Sequence, residues 1–395
     1  MKHVSFVQPA VASSETARQI NRSIVLNFIR KQQPVSRAEV SRLSGLQRNT
    51  VSLIVEQLIA EQWVVEGAVG RLPRGRRPTF LELDGRRCAI CVDLRPTRVQ
   101  LGVGHLNGAF ALSDQFTTPD NPDRATAELV KRIRALIRSH PELTYEGIGI
   151  TVPGRVDLQT QRLAFAPNLG WPPTDLKTPL ERATGLTVEL ENAANACALA
   201  ELWFHPSDHP PDIIALTVSE GIGAGIVSQG QLITGRSGMA GEFGHVSLDP
   251  AGLQCHCGNR GCWETLASER AGLRYYLQSA RRASVNIEFS DLLQMAESGD
   301  VIAQRALNRM ALELARGTRM MVAAIAPQVI VFVGEFTAAW SRFRPVIEAE
   351  IQSQSVGAPP SIVAGRDGGT ARVRGTVALV FHKHFSAGPP TRYCR

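Results

Sequence analysis

From Arg87 onward the chain alternates short β-rich runs with helical stretches, and this pattern limits its fold more than any other feature. The runs are CAICVDL, VQLGVGHL, GIGITVPG, IIALTVS and VIVFVG, with helical segments near Ala125 to Ser139 and Ala193 to Phe204. Runs of this length and composition read as strands, and their alternation with helices predicts an α/β fold of two lobes around a cleft.

The residues before that boundary are chemically different. Residues 1–87 hold 14 Lys and Arg against 7 Asp and Glu, while the remainder holds 29 of each, so the whole formal charge of +7 lies in the first fifth of the chain. A polyanion partner explains such a partition, and so does a solvated basic face. A helical stretch from Gln19 to Ile29 places Ile20, Ile24 and Phe28 on one face, and Pro34 closes it. Ser36 and Glu39 have the spacing of a capping box, which opens a second short helix through Arg42. Ser44-Gly45-Leu46 makes a turn, and a third helix carries Val51, Ile54, Val55 and Leu58 inward, leaving Gln47, Arg48, Asn49, Thr50 and Ser52 polar at its start.

That layout is a helix-turn-helix, whose last helix presents polar side chains to base edges and phosphates. A small bundle with a solvated polar face is the plainer reading; the charge partition favours double-stranded DNA. After Trp63 to Glu66, the stretch Gly67 to Pro78 is a turn or β-wing whose Arg71, Arg74, Arg76 and Arg77 suit a minor groove or phosphates, and TFLELD returns as a strand. With Arg37, the DNA-contact set is Arg37, Gln47, Arg48, Asn49, Thr50, Ser52, Arg74, Arg76 and Arg77. The expected division is a disordered leader at 1–17, a winged helix-turn-helix at 18–84 and a body at 85–395.

No run approaches the roughly 18 apolar residues of a membrane span, and the N-terminus lacks the layout of a signal peptide, so the expected compartment is the cytoplasm. Three of the seven cysteines, Cys255, Cys257 and Cys262, crowd into eight residues. With His245 they give H-x9-C-x-C-x4-C. Three thiolates and an imidazole match tetrahedral Zn2+, and four protein ligands make the site closed and therefore structural. Gly258 and Gly261 permit the tight turns, and His256 points outward. Cys88, Cys91, Cys197 and Cys394 lack ligand spacing and read as ordinary thiols.

The motifs SRAEVSRLSGLQRNTVSLIVEQLI, GRRPTFLEL, TVPGRVD, APNLGW, ENAANACALAE, SEGIGAGIVSQGQLITGRSGMAGEFGHV and CHCGNRGCWE resemble those of the ROK family of repressors and sugar kinases, in its branch with an N-terminal winged helix. The resemblance runs from Gln19 to about Leu379. It implies a duplicated actin-like or ribonuclease-H-like body, the same zinc site, dimers or tetramers, and sugar hydroxyls held by Gly154, Asn168, Asn192, Glu242, His245 and Glu264. His245 would turn one ring nitrogen to the metal and the other to the sugar, with Trp171 supplying apolar surface nearby.

Three departures from the family's kinases point away from catalysis. Alanine at 193 stands where they carry the aspartate that takes the hydroxyl proton, a loss worth about a hundred- to ten-thousand-fold. Asp93-Leu94-Arg95-Pro96-Thr97 replaces the glycine-bearing phosphate loop, so Arg95 adds bulk and Pro96 lacks a donor. Val333-Gly334-Glu335-Phe336 replaces a pair of glycines and adds negative charge. Gly221-Ile222-Gly223-Ala224-Gly225 lacks dinucleotide-fingerprint spacing and reads as a packing or hairpin feature. The expected function is regulation of sugar genes, with repression relieved when a sugar closes the cleft of a catalytically dead body. A sugar kinase with an accessory DNA-binding head, or a DNA-binding protein whose body only oligomerises, are the alternatives.

Overall fold

The computed structural model describes residues 14–69, 78–205, 210–280, 287–353, 357–366 and 368–385. The chain divides into two compact units, one formed by residues 1–87 with 381–395 and the other by residues 88–380.

The first unit opens with α1 (Ser14–Gln32), so the last four residues of the expected 1–17 leader are helical. Its buried face is Val25, Leu26 and Ile29; Ile20, Ile24 and Phe28 are only half-buried, because the strip that meets the neighbouring elements lies one position further along the helix. β1 (Val35–Ser36) then leads into α2 (Arg37–Ser44). Ser36 caps α2 with the expected reciprocal bonds, Glu39 N–H to Ser36 Oγ at 3.3 Å and Ser36 N–H to Glu39 Oε2 at 3.1 Å. Gly45, left-handed at φ 72°, ends α2 and sets up α3 (Arg48–Ala60), which buries Val51, Ile54, Val55 and Leu58. β2 (Val64–Val69) and β3 (Thr79–Leu83) complete an antiparallel sheet in the order β1-β3-β2. The strand β2 continues through Gly67 and Ala68, where the glycine suggests a turn. Arg71, Arg74, Arg76 and Arg77 lie outside the described residues, as does Cys394.

The second unit contains two five-stranded sheets of matching topology. β4 (Arg87–Leu94), β5 (Arg98–His105) and β6 (Phe110–Thr117) form an antiparallel meander. α4 (Pro122–Ser139) leads to β7 (Thr144–Val152), the short hairpin β8 (Arg155–Val156) and β9 (Leu163–Phe165) follows, and α5 (Lys177–Thr184) leads to β10 (Val188–Asn192). The sheet order is β10-β7-β4-β5-β6. α6 (Ala193–Phe204) carries the chain to β11 (Ile213–Val218), β12 (Ile222–Ser228) and β13 (Gln231–Ile233). Four helices follow, α7 (Trp263–Ala267), α8 (Glu269–Ser279), α9 (Phe289–Glu297) and α10 (Val301–Ile325). Then come β14 (Val329–Val333), α11 (Trp340–Ser353), β15 (Ser361–Ala364) and α12 (Ala371–Phe385). The second sheet runs β13-β12-β11-β14-β15, so both sheets place their first three strands antiparallel on one side and two later strands on the other.

Burial explains the uninterrupted apolar run of β11. Ile214, Leu216 and Val218 face the cluster built on α8, α10 and α11, while Ile213 and Ala215 face Cys197 and Ala198 of α6. A strand covered on both faces has no polar side to show. The last turn of α12, residues 381–385, belongs to the first unit, in contrast to the expected body that runs on to 395. There the ring of Trp63 lies 6.1 Å from Phe381, 4.6 Å from His384 and 6.0 Å from Phe385.

Candidate functional site

A cleft of about 790 Å³ opens between the two lobes of the second unit, and Gly154, Asn168, Asn192, Glu242, His245 and Glu264 all line it. Residues up to 110 positions apart in sequence thus meet on one surface. Asn192 ends β10 and caps α6: its Oδ1 accepts from Ala194 N at 2.8 Å, while its Nδ2 donates to Gly154 O at 2.9 Å. One amide N–H therefore remains for a ligand. Asn168 is held across the cleft, its Oδ1 accepting from Arg270 Nη1 at 3.0 Å. Burial pushes the Glu242 carboxyl above its usual range, with His245 pulling against that shift.

Trp171 is not part of this surface. It is 6% exposed and packs with Leu163, Ala166 and Leu176 in the core of the first lobe. Its loop folds back through the Ala166–Trp171 bridge, and the indole is not among the residues that line the cleft. Sequence reading also missed Glu220, Thr217, Arg155 and Arg372, which share the lining. Arg155 stands in the TVPGRVD motif beside Gly154 and Glu220 stands next to the glycine run, while Thr217 and Arg372 carry no such signal.

The four expected metal ligands converge. One donor atom each from His245, Cys255, Cys257 and Cys262 lies within 4.8 Å of every other. Cys257 Sγ is 3.6 Å from Cys262 Sγ, and Cys255 Sγ is 3.7 Å from His245 Nδ1. Zn–S bonds of about 2.3 Å at tetrahedral angles separate two sulfurs by about 3.8 Å, so the donor set and spacing fit zinc. Burial first, and then the neighbouring Cys257 thiol, push the Cys262 thiol up to about 11, and burial likewise raises Cys255, so a divalent cation is what would favour the thiolates. Zinc would supply a fixed tetrahedral cross-link between these four side chains.

Local geometry prepares the loop. Gly261 has φ 61°, and a Cβ there would lie 1.5 Å from Asp249 O, so only glycine fits beside Cys262. Trp263 is fully buried, donates from Nε1 to Glu313 O at 2.9 Å, and lies so close to Gly317 that a Cβ there would sit 1.9 Å from its ring. The loop is thereby anchored to α10. His256, between two ligands, is exposed as expected. His245 connects cluster and cleft: Nδ1 faces Cys255, while Nε2 is 3.7 Å from Glu242 Oε2. Glu264 Oε1 in turn accepts from Cys255 Sγ at 3.0 Å.

Beyond the cleft lies a second cavity of about 1040 Å³ lined by Arg95, Arg98, Glu269, Gly334, Glu335 and Arg372, among others. Arg95 is buried and donates to Asp93 Oδ2 at 2.6 Å, and Asp93 Oδ1 accepts from Thr151 at 2.7 Å. Arg372 donates to Ser219 Oγ at 2.7 Å. Glu335 is half-exposed, 3.9 Å from Arg98, on the same cavity wall. Ala193 lines the cleft at the first position of α6. The glycine run Gly221 to Gly225 forms the β11–β12 hairpin, where a Cβ at Gly225 would lie 2.3 Å from Ala194 O.

In the first unit, Gln47, Arg48 and Asn49 are exposed at the start of α3, and Thr50 and Ser52 are half-buried beside them. Arg37 is tied to Glu66 at 2.6 Å. The N-cap residue of α3, Gln47, makes no side-chain cap, in contrast to Ser36 on α2. Burial pushes the thiols of Cys88, Cys91 and Cys197 up to about 12, as suits inert packing groups. No helix among the described residues is long and apolar enough to cross a membrane.

The ROK family model matches residues 89–383. The chain is 32% identical over 331 residues to the xylose repressor of Bacillus subtilis, spanning 81% of this chain and 83% of that protein. It is similar to a solved ROK family transcriptional regulator, a homologue of the Escherichia coli MLC protein, with TM-score 0.80 and 25% identity over 94% of this chain and 98% of the other. A ROK family glucokinase from Streptomyces griseus, solved with glucose and AMPPNP, matches 74% of this chain and 98% of its own, with TM-score 0.68 and 29% identity. With its duplicated sheets, its cleft and a family match over most of its length, the chain belongs to the ROK family.

Proposed function

We propose that this protein is a sugar-responsive transcriptional repressor: its first unit is a winged helix-turn-helix that binds operator DNA, and its body senses an uncharged sugar without phosphorylating it. One observation carries the reading. Six residues whose polar groups suit hydroxyls line a single cleft, while Ala193 and the buried Arg95–Asp93 pair stand where a kinase needs a base and a bare phosphate loop. The similarity to a xylose repressor and to a solved regulator supports the DNA-binding half.

On this reading a zinc ion held by His245, Cys255, Cys257 and Cys262 fixes the imidazole, whose Nε2 side then faces the sugar along with Glu242 and Glu264. Arg48, Asn49 and the neighbouring polar residues of α3 enter the major groove, and Arg74, Arg76 and Arg77 extend the contact along the backbone. A dimer or tetramer in the cytoplasm presents two such heads to a palindromic operator. Sugar-driven closure of the cleft then weakens DNA binding, a coupling of typically about 1–3 kcal/mol.

The test is a mobility shift of duplex DNA from upstream of the protein's own gene, titrated with pentoses, hexoses and N-acetylated hexosamines. Release of the shifted band by one sugar class is expected, and a shift indifferent to all of them refutes sensing. A coupled assay with ATP and the same sugars is expected to yield no sugar phosphate.

A further inference from the structure

The most exposed large apolar side chain among the described residues is Leu53, at 67%. It stands in the middle of α3, whose apolar residues Val51, Ile54, Val55 and Leu58 are all buried on the opposite face. At 100° per residue, Leu53 lies within about 60° of Asn49 and Glu56, all three exposed and turned away from the core. A single exposed leucine is ordinary on a protein surface; one centred on the outward face of the second helix of a helix-turn-helix has a specific chemical partner available.

The charge of the unit that carries this helix favours duplex DNA as the partner, and the groups beside Leu53 favour the floor of the groove. Residues 1–87 carry all the excess positive charge of the chain, and the first turn of α3 has no acidic residue. Glu56, on the same outward face, would be repelled by a phosphate yet can accept from a cytosine amino group. The stripe Asn49, Leu53, Glu56 therefore has the chemistry of a base-reading surface, an amide, an apolar group and a carboxylate, with Arg48 at its flank for the backbone. In the major groove the one apolar feature of a base pair is the thymine C5 methyl.

We infer that Leu53 reads a thymine by packing on its methyl group, so that each operator half-site carries a thymine opposite the second turn of α3. The inference rests on the DNA-binding reading above and adds to it a specific base and the group that recognises it.

The experiment uses the full-length, zinc-loaded protein and a duplex selected by it from a random pool. Each thymine is replaced in turn by deoxyuridine, which removes only the methyl, and affinities are measured by fluorescence anisotropy for wild type and Leu53→Ala. Because Leu53 is exposed, the variant is expected to fold like wild type, which circular dichroism checks. One thymine-to-uracil change per half-site is expected to weaken wild-type binding by about fourfold, the worth of one buried methyl, while Leu53→Ala binds both duplexes equally. Wild type indifferent to every replacement, or Leu53→Ala as sensitive as wild type, overturns the inference and leaves DNA binding standing. Failure to select any duplex overturns both.

Discussion

Arg95 reaches back two residues to donate to Asp93 at 2.6 Å, a pair in which the carboxylate is fully buried and the guanidinium nearly so. The pair sits at the C-terminal end of β4, with Arg95 on the wall of the second cavity. Burial alone would push the Asp93 carboxyl up, but Arg95 and then Arg372 outweigh it and hold the group below its usual range.

Breaking this pair should be costly. Arg95→Ala leaves a buried carboxylate with Arg372 as its remaining counter-charge, and removing one partner of a buried pair typically costs about 3–5 kcal/mol. Because the folded Asp93 titrates below its unfolded value, the stability it contributes is complete above the ordinary carboxylate range and is lost as pH falls through the folded value. Urea unfolding of Arg95→Ala at pH 7 is expected to show a lower midpoint than wild type, and a smaller gap between the two proteins toward pH 3.

Glu269 behaves in the opposite sense. Burial first, and then the charges of Glu335 and Glu220, push its carboxyl up to about 8. The folded protein therefore holds a proton that the unfolded chain has released between the usual carboxylate range and about pH 8. Stability declines across that window by up to about 1.4 kcal/mol per pH unit. Glu269→Gln removes this slope, so it should match wild type near pH 5 and exceed it at pH 8.5 in thermal unfolding, and equal declines in the two proteins would disprove the assignment.

Zinc removal should act on the cleft as well as on the loop. Cys257→Ser or Cys262→Ser is expected to lose the metal equivalent measured by mass spectrometry of the native protein. Since His245 belongs to both cluster and cleft, and Glu264 on the cleft wall touches Cys255, sugar affinity measured by calorimetry should drop about 10- to 100-fold. Metal loss with unchanged sugar affinity would separate the two sites.

Trp63 should matter more than a linker residue would. It is 4% exposed, lies under the Arg87 guanidinium at 4.2 Å, and meets Phe381, His384 and Phe385. Asn27 Nδ2 also donates to Phe385 O. Trp63→Ala is expected to cost the first unit about 3–5 kcal/mol. A chain ending at Val380 should show a similar loss in hydrogen-exchange protection of α1 and β2, because it uncovers the same indole.

The features legible in the order of the amino acids are local ones. The Ser36–Glu39 cap, the Gly45 turn, the inward face of α3 and the four-residue ligand set depend on spacings of one to seventeen residues, and the chain can close those contacts with few degrees of freedom. The six cleft residues are recovered only through family resemblance, since nothing in their separate neighbourhoods places Gly154 beside Asn192. Long-range packing decided the rest. Trp171 goes into the core because its loop turns back on Ala166, and Arg372 joins the cleft wall because α12 packs there late in the chain. Residues 381–385 join the first unit because Phe381, His384 and Phe385 pack against Trp63. In each case the deciding term is burial against a distant partner, a quantity that local periodicity and spacing do not contain.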